Sequence, residues 1–180
     1  DMETNTSANT APATVVIVED HSLIRDGLRM LLALERDFRL VGEAGTVAEA
    51  RHKIAEVKPN IAMIDVGLPD GDGIALATEV ISADPFLRVL MVTGDLSAAT
   101  VARALASGAH GYVPKQHNAD ELFAALRTLR EGGRYVSKVV ASSYVAQSPV
   151  AASPSPLAKL TEREREIVGA LAHPGIASLL

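Results

Sequence analysis

Residues 61–73, IAMIDVGLPDGDG, set four apolar residues ahead of a carboxylate, Asp65, and follow it with a turn rich in glycine, proline and aspartate. The apolar run suits a strand buried on both faces, where no water is available to a charge. Asp65 must therefore stand at an exposed strand tip or be paired with something. A single aspartate ahead of Gly and Pro is also an ordinary turn former, so the rest of the chain has to decide.

Short β-branched runs alternate with longer segments of helical period along the chain. Strands are expected at 14–18, 39–44, 61–65, 89–93 and 111–113. Between them, Ile24, Leu28, Leu31 and Leu32 share one helical face, and Val47, Ala50, Ile54 and Val57 share another. Ile74, Ala77 and Ile81 mark a third helix, Val101 and Leu105 a fourth, and Leu122, Leu126 and Leu129 a fifth, capped by Asn118 and stopped at Gly132-Gly133. Strand and helix alternating five times predict an α/β fold: a flavodoxin-like, doubly wound, five-stranded parallel sheet of order 2-1-3-4-5.

In that order the switch point lies between strands one and three, and ligands bind at the carboxyl ends of the strands. Strand one runs into Glu19-Asp20 and strand three into Asp65, so three carboxylates converge on one crevice. Two unit charges about 4 Å apart repel by roughly 4 kcal/mol at an effective dielectric of 20. A cation must sit among them, and hard oxygen ligands open to solvent suit Mg²⁺. Strand four ends in Thr93, a hydroxyl donor, with Gly94 beside it leaving room for close approach. Strand five ends in Lys115, a point charge suited to phosphoryl oxygen. Each residue also has a plainer reading: Glu19-Asp20 can begin a helix, Thr93 can satisfy a backbone group, and Lys115 can be a solvated surface charge. Tyr112 can be a core residue or a surface partner. His21 belongs at the rim, and the five histidines show no ligand spacing.

The ordered set resembles the receiver domains of two-component response regulators. The resemblance covers about residues 13 to 135: an acidic pair after strand one, D-x-x-L-P-x-x-x-G after strand three, Thr-Gly after strand four and G-Y-x-x-K at strand five. It implies that Asp65 is the phosphoryl acceptor and that Glu19, Asp20, Asp65 and the carbonyl of Gly67 hold Mg²⁺. It further implies that Thr93 and Lys115 bind phosphoryl oxygens and that Tyr112 is an aromatic that swings as Thr93 moves. The partners it implies are a sensor histidine kinase, a homodimer and, in full-length members, DNA. The sequence departs from many receivers in having Pro114 before Lys115 and no proline after it. Two other classes compete. An aspartate-nucleophile phosphatase calls for a second Asp two residues after the first, where this chain has Gly67. A nucleotide-binding module calls for a glycine-rich first turn, where this chain has EDHSLIRDG.

Composition agrees with one full domain and an appendage. The chain has 180 residues, 48% of them hydrophobic, a formal net charge of −5 and no cysteine. Disulfides and thiolate metal sites are thereby excluded, and the charge argues against broad nucleic-acid affinity. The polar opening does not read as a signal peptide, and no run is long enough to span a bilayer, so a cytoplasmic protein without membrane contact is expected. The expected organisation is a disordered tail over 1–13, the receiver over 14–135, a short helix and Ser/Ala/Pro-rich linker over 136–157, and a last segment over 158–180. In that segment Thr161 and Glu164 form a capping box, and Ile167, Val168 and Leu171 give an apolar face. It resembles the first helix of the LuxR-type helix-turn-helix that follows NarL/FixJ-type receivers. Only HPGIASLL follows Ala172, so the base-reading helix is expected to be lacking and specific DNA binding is not expected of this chain. A regulator working by protein contacts alone is the accompanying alternative.

Overall fold

The structure, a computed structural model, describes residues 11–116 and 118–147. Its elements are β1 (Ala13–Val18), α1 (Ser22–Ala33), β2 (Phe38–Ala44), α2 (Val47–Val57) and β3 (Ile61–Asp65). A two-residue hairpin follows, β4 (Gly67–Leu68) and β5 (Gly71–Asp72), then α3 (Gly73–Ala83), β6 (Arg88–Thr93), α4 (Ala98–Ala106) and β7 (Gly111–Pro114). The last three are α5 (Ala119–Arg130), β8 (Tyr135–Val136) and α6 (Lys138–Gln147).

The main sheet has the order β2-β1-β3-β6-β7-β8, and every pairing in it is parallel. Alternation along each strand sends successive side chains to opposite faces. Val15 and Ile17 of β1 enter a core with Leu28 and Leu32 of α1 and Leu122, Leu126 and Leu129 of α5. Val16 and Val18 enter the other core, with Ala50 and Ile54 of α2, Ala77 and Val80 of α3, and Val101 and Leu105 of α4. The order confirms the expected 2-1-3-4-5 arrangement, and two features depart from it. The sheet has six strands instead of five, because Tyr135–Val136 pairs with Gly111 and Tyr112 at the β7 edge. The turn after β3 is itself a small antiparallel hairpin. The boundary expected at residue 135 thus runs through β8, and beyond it Val140 of α6 is buried in the same core as α4. The capping box and segment expected over 158–180 lie outside the described residues.

Local chemistry explains where the helices start. Side-chain oxygens of Thr46, Asp72, Ser97 and Asn118 accept hydrogen bonds from the first turns of α2, α3, α4 and α5. Glu49 adds a second link at the start of α2 by accepting from the N–H of Gly45, the residue before the cap, at 2.7 Å. Gly73 is needed at the head of α3 because a β-carbon there would overlap the carbonyl of Asp65. The glycine at the end of IAMIDVGLPDGDG therefore lets α3 pack directly under the carboxylate-bearing strand end.

Candidate functional site

All the strand ends named above meet at the carboxyl edge of the sheet. Asp65 closes β3 and Glu19 follows β1, and they are 3% and 2% exposed. Asp20 stands beside them at the surface. The Lys115 backbone N–H donates to the Thr93 carbonyl at 2.7 Å, which carries the β6–β7 pairing one residue beyond Pro114. From that anchor the lysine reaches inward, its Nζ 2.8 Å from Asp65 Oδ2 and 3.2 Å from Glu19 Oε2. Asp65 is thus a buried carboxylate paired with an ammonium, which answers the question its sequence setting raised.

The pairing is incomplete. Asp65 Oδ1 accepts from the Gly67 N–H at 3.2 Å, but buried Oδ2 receives no well-aligned hydrogen bond despite its short ion contact. Burial, reinforced by the charge of Glu19, pushes the Asp65 carboxyl above its ordinary range against the pull of Lys115. Burial works against the Lys115 ammonium too, yet hydrogen bonding and attraction to Asp65 and Glu19 outweigh it and raise its pKa. One ammonium serves both buried carboxylates.

The donor set fits a hard divalent cation. One potential ligand atom each from Glu19, Asp20, His21 and Asp65 lies within 4.8 Å of all the others, and three of the four are carboxylate oxygens. Gly67 is exposed, and a β-carbon there would meet nothing within 4 Å, so the side of the crevice next to Asp65 is open. The histidine stands at the rim as expected, its side chain 61% exposed, and its Nδ1 lies 2.8 Å from Glu19 Oε1 and 3.1 Å from an Asp20 oxygen.

A family model for the response regulator receiver domain matches residues 15–127. The chain belongs to the response-regulator receiver family. The receiver is 37% identical over 160 residues to the DNA-binding transcriptional activator DevR/DosR of Mycobacterium tuberculosis, covering 88% of this chain and 74% of that one. It is 33% identical over 153 residues to the response regulator GacA of Pseudomonas protegens, covering 85% and 72%. Among solved structures it superimposes on a LuxR-family two-component response regulator from Aurantimonas sp. with a TM-score of 0.71 at 29% identity, over 76% of this chain and 97% of the other. The chain is thus a two-component response regulator of the LuxR-type family, whose relatives regulate transcription. Among the described residues no helix is long and apolar enough to cross a membrane.

The receiver also uses residues that sequence reasoning missed. Arg25 Nη1 donates to the Glu19 carbonyl at 2.7 Å and so braces the acidic turn from α1. Asp70 accepts from the Val47 and Ala48 N–H groups at 2.7 and 3.1 Å, tying the β4–β5 hairpin to the start of α2. Asp72 caps α3 and pairs with Arg103 of α4, linking the same hairpin to the fourth helix. Capping aspartates are legible at their own helix starts. A carboxylate that caps a helix 23 residues away in sequence is not.

Thr93 and Tyr112 are held in defined places. The Thr93 hydroxyl donates to the Asp95 carbonyl at 2.8 Å and accepts from the Asp95 N–H at 3.0 Å. Tyr112 is 1% exposed, and its hydroxyl donates to the carbonyl of Ala104 in α4.

Proposed function

We propose that Asp65 is the phosphoacceptor of this receiver and takes its phosphoryl group from the phosphohistidine of a sensor histidine kinase. An Asp65 carboxylate oxygen attacks phosphorus, the P–N bond of the donor breaks, and its electron pair leaves with the imidazole, which takes up a proton from solvent. An acyl phosphate results. Lys115 meets the phosphoryl oxygens with its ammonium and Thr93 with its hydroxyl. Glu19, Asp20, Asp65 and the Gly67 carbonyl would hold Mg²⁺, which would supply positive charge against the phosphoryl oxygens. The observation that supports this most is the clustering of Glu19, Asp20 and Asp65 at the end of the sheet, with the Lys115 ammonium against Glu19 and Asp65. A cluster with more negative than positive charge is poised to gain a cation before it can accept a phosphate.

The chain holds the phosphoryl group as a signal and does not turn it over rapidly, because Gly67 stands where a phosphatase of this chemistry needs a general acid. In this reading a homodimer and transcriptional output follow from phosphorylation. Lys159 to His173 has three acids against three bases and so offers phosphate contacts no net positive footprint of its own. The test is intact mass after incubation with acetyl phosphate and Mg²⁺. Wild type gains one phosphoryl group and Asp65→Asn gains none; equal labelling of the two overturns the assignment.

A further inference from the structure

The amino end of the sheet holds a guanidinium that no carboxylate balances. Arg88 opens β6, and its Nη2 donates to the carbonyls of Gly132 and Gly133 at 2.7 Å each. Its Nε is buried with no hydrogen-bond partner, and among the described residues no carboxylate forms an ion pair with it. Burial, and then the charge of Arg134, push its pKa below the ordinary arginine value, yet a guanidinium stays charged in a protein. The fork has five N–H groups, and the two carbonyls take up only part of them.

Arg88 also lines a cleft of about 320 Å³, at the small end of the sizes that ligand sites occupy. Arg130, from the end of α5, lines the same cleft, and no aspartate or glutamate does. Its guanidinium donates to the carbonyls of Ala11 and Asp37 at 3.2 and 3.4 Å and stands 3.9 Å from an Asp37 carboxylate oxygen, so its charge is loosely matched. Asn60 adds a donor: its Oδ1 accepts from the Thr14 N–H, which leaves the amide NH₂ to donate at the cleft. The remaining wall is apolar, from Ile61, Leu129 and Phe86, the last 90% exposed. Forked cations beside an apolar wall suit an oxyanion carried on an apolar body.

We propose that this cleft binds a small organic acid, with its carboxylate against Arg88 and Arg130 and its apolar body against Ile61, Leu129 and Phe86. The acid supplies the negative charge that the cleft lacks and joins the start of β6 to the end of α5. Thr93 closes the other end of β6, so the site is separate from the carboxylate cluster. Its occupant binds the folded chain and thereby stabilises it.

The test is calorimetric titration of benzoate into the full chain at constant ionic strength, with acetate, inorganic phosphate and chloride titrated alongside. One benzoate per chain should bind, with half-saturation below about 10 mM. Acetate and phosphate lack the apolar body and should bind at least ~10-fold more weakly. Arg88→Lys keeps the charge but loses the fork, and Arg130→Gln removes the second cation; each should weaken benzoate ~10-fold or more. Arg130→Gln gives up only backbone contacts and a long ion pair, so it tests the site even if Arg88→Lys fails to fold. Heat that does not saturate by about 10 mM overturns the proposal. So does saturable binding that survives Arg130→Gln unchanged, or phosphate or chloride binding equal to that of benzoate.

Discussion

The two ends of the same sheet handle polar groups in opposite ways. At the amino end, Thr14 and Asn60 exchange three hydrogen bonds of 2.8 to 3.0 Å, tying the start of β1 to the start of β3. There, too, Arg88 donates to the carbonyls of Gly132 and Gly133 at 2.7 Å each and holds the turn after α5. At the carboxyl end, two carboxylates are buried against one ammonium, with a third at the rim. The amino end is closed by matched donors and acceptors. Among the described residues, its buried mismatch is Arg88 Nε, which has no hydrogen-bond partner, whereas the carboxyl end keeps a charge mismatch at its centre. Mismatched charge is unfavourable as it stands and would become favourable with the proposed cation and phosphate in place. Stability and function thus occupy opposite ends of one sheet.

The largest expected effect is at the carboxyl end. Mg²⁺ at about a hundred times its dissociation constant should stabilise wild type by about 2.7 kcal/mol, because it binds the folded crevice and not the unfolded chain. Thermal melts with increasing Mg²⁺ measure this. In Asp20→Asn the gain should shrink markedly, and an identical Mg²⁺ response in this variant would place the ion elsewhere.

Next in size is a loss at the amino end. Asn60→Ala removes the acceptor for both the Thr14 N–H and the Thr14 hydroxyl. The expected cost is about 1–2 kcal/mol by denaturant unfolding, with phosphoryl labelling unchanged. The matched pair is structural, so a labelling defect in this variant would break the division between the two ends.

A gain of smaller size is expected from the opposite change. Asp65→Asn removes a buried charge that burial and Glu19 both disfavour, and it leaves Lys115 still 3.2 Å from Glu19. In Mg²⁺-free buffer the variant should be more stable than wild type by about 1 kcal/mol, a few degrees in Tm. Loss of stability on this substitution would mean that the Lys115 pair, and not the repulsion, dominates the resting site.

The division was largely legible in the sequence, for a physical reason. Glu19, Asp65, Thr93 and Lys115 each follow an uninterrupted apolar run, and a parallel sheet brings such run ends together whatever lies between. The same logic fails for β8. Tyr135 and Val136 are too few to show alternation, and their strand character comes from pairing with Gly111 and Tyr112. It fails again for α6, whose helical start could be read but whose docking face could not. Val139, Val140 and Val145 are chemically alike, yet only Val140 is buried, with Ala141 and Tyr144 packed beside it. The links through Asp70, Asp72 and Arg103 were equally hidden, because each joins elements that are close only after folding.

The smallest effect concerns the edge where β8 was missed. Burial, and then the negative charge of Glu121, push the Tyr135 phenol up to about 12, with its hydroxyl 3.3 Å from Glu121 Oε1. An unfolded tyrosine ionises near 10. Because the folded value is the higher one, the contribution of Tyr135 to stability is fully present below about pH 10 and is lost as pH rises toward 12. Tyr135→Phe should therefore be slightly less stable than wild type at neutral pH, by about 0.5–1 kcal/mol for the lost bond to Glu121, and should close that gap as pH rises above about 10. Absorbance of phenolate during alkaline titration gives the companion measurement: the variant should lack a late step that wild type shows. A Tyr135 that ionised with an ordinary midpoint would mean that β8 leaves the sheet edge in solution, and the sixth strand would then stand outside the receiver's fixed core.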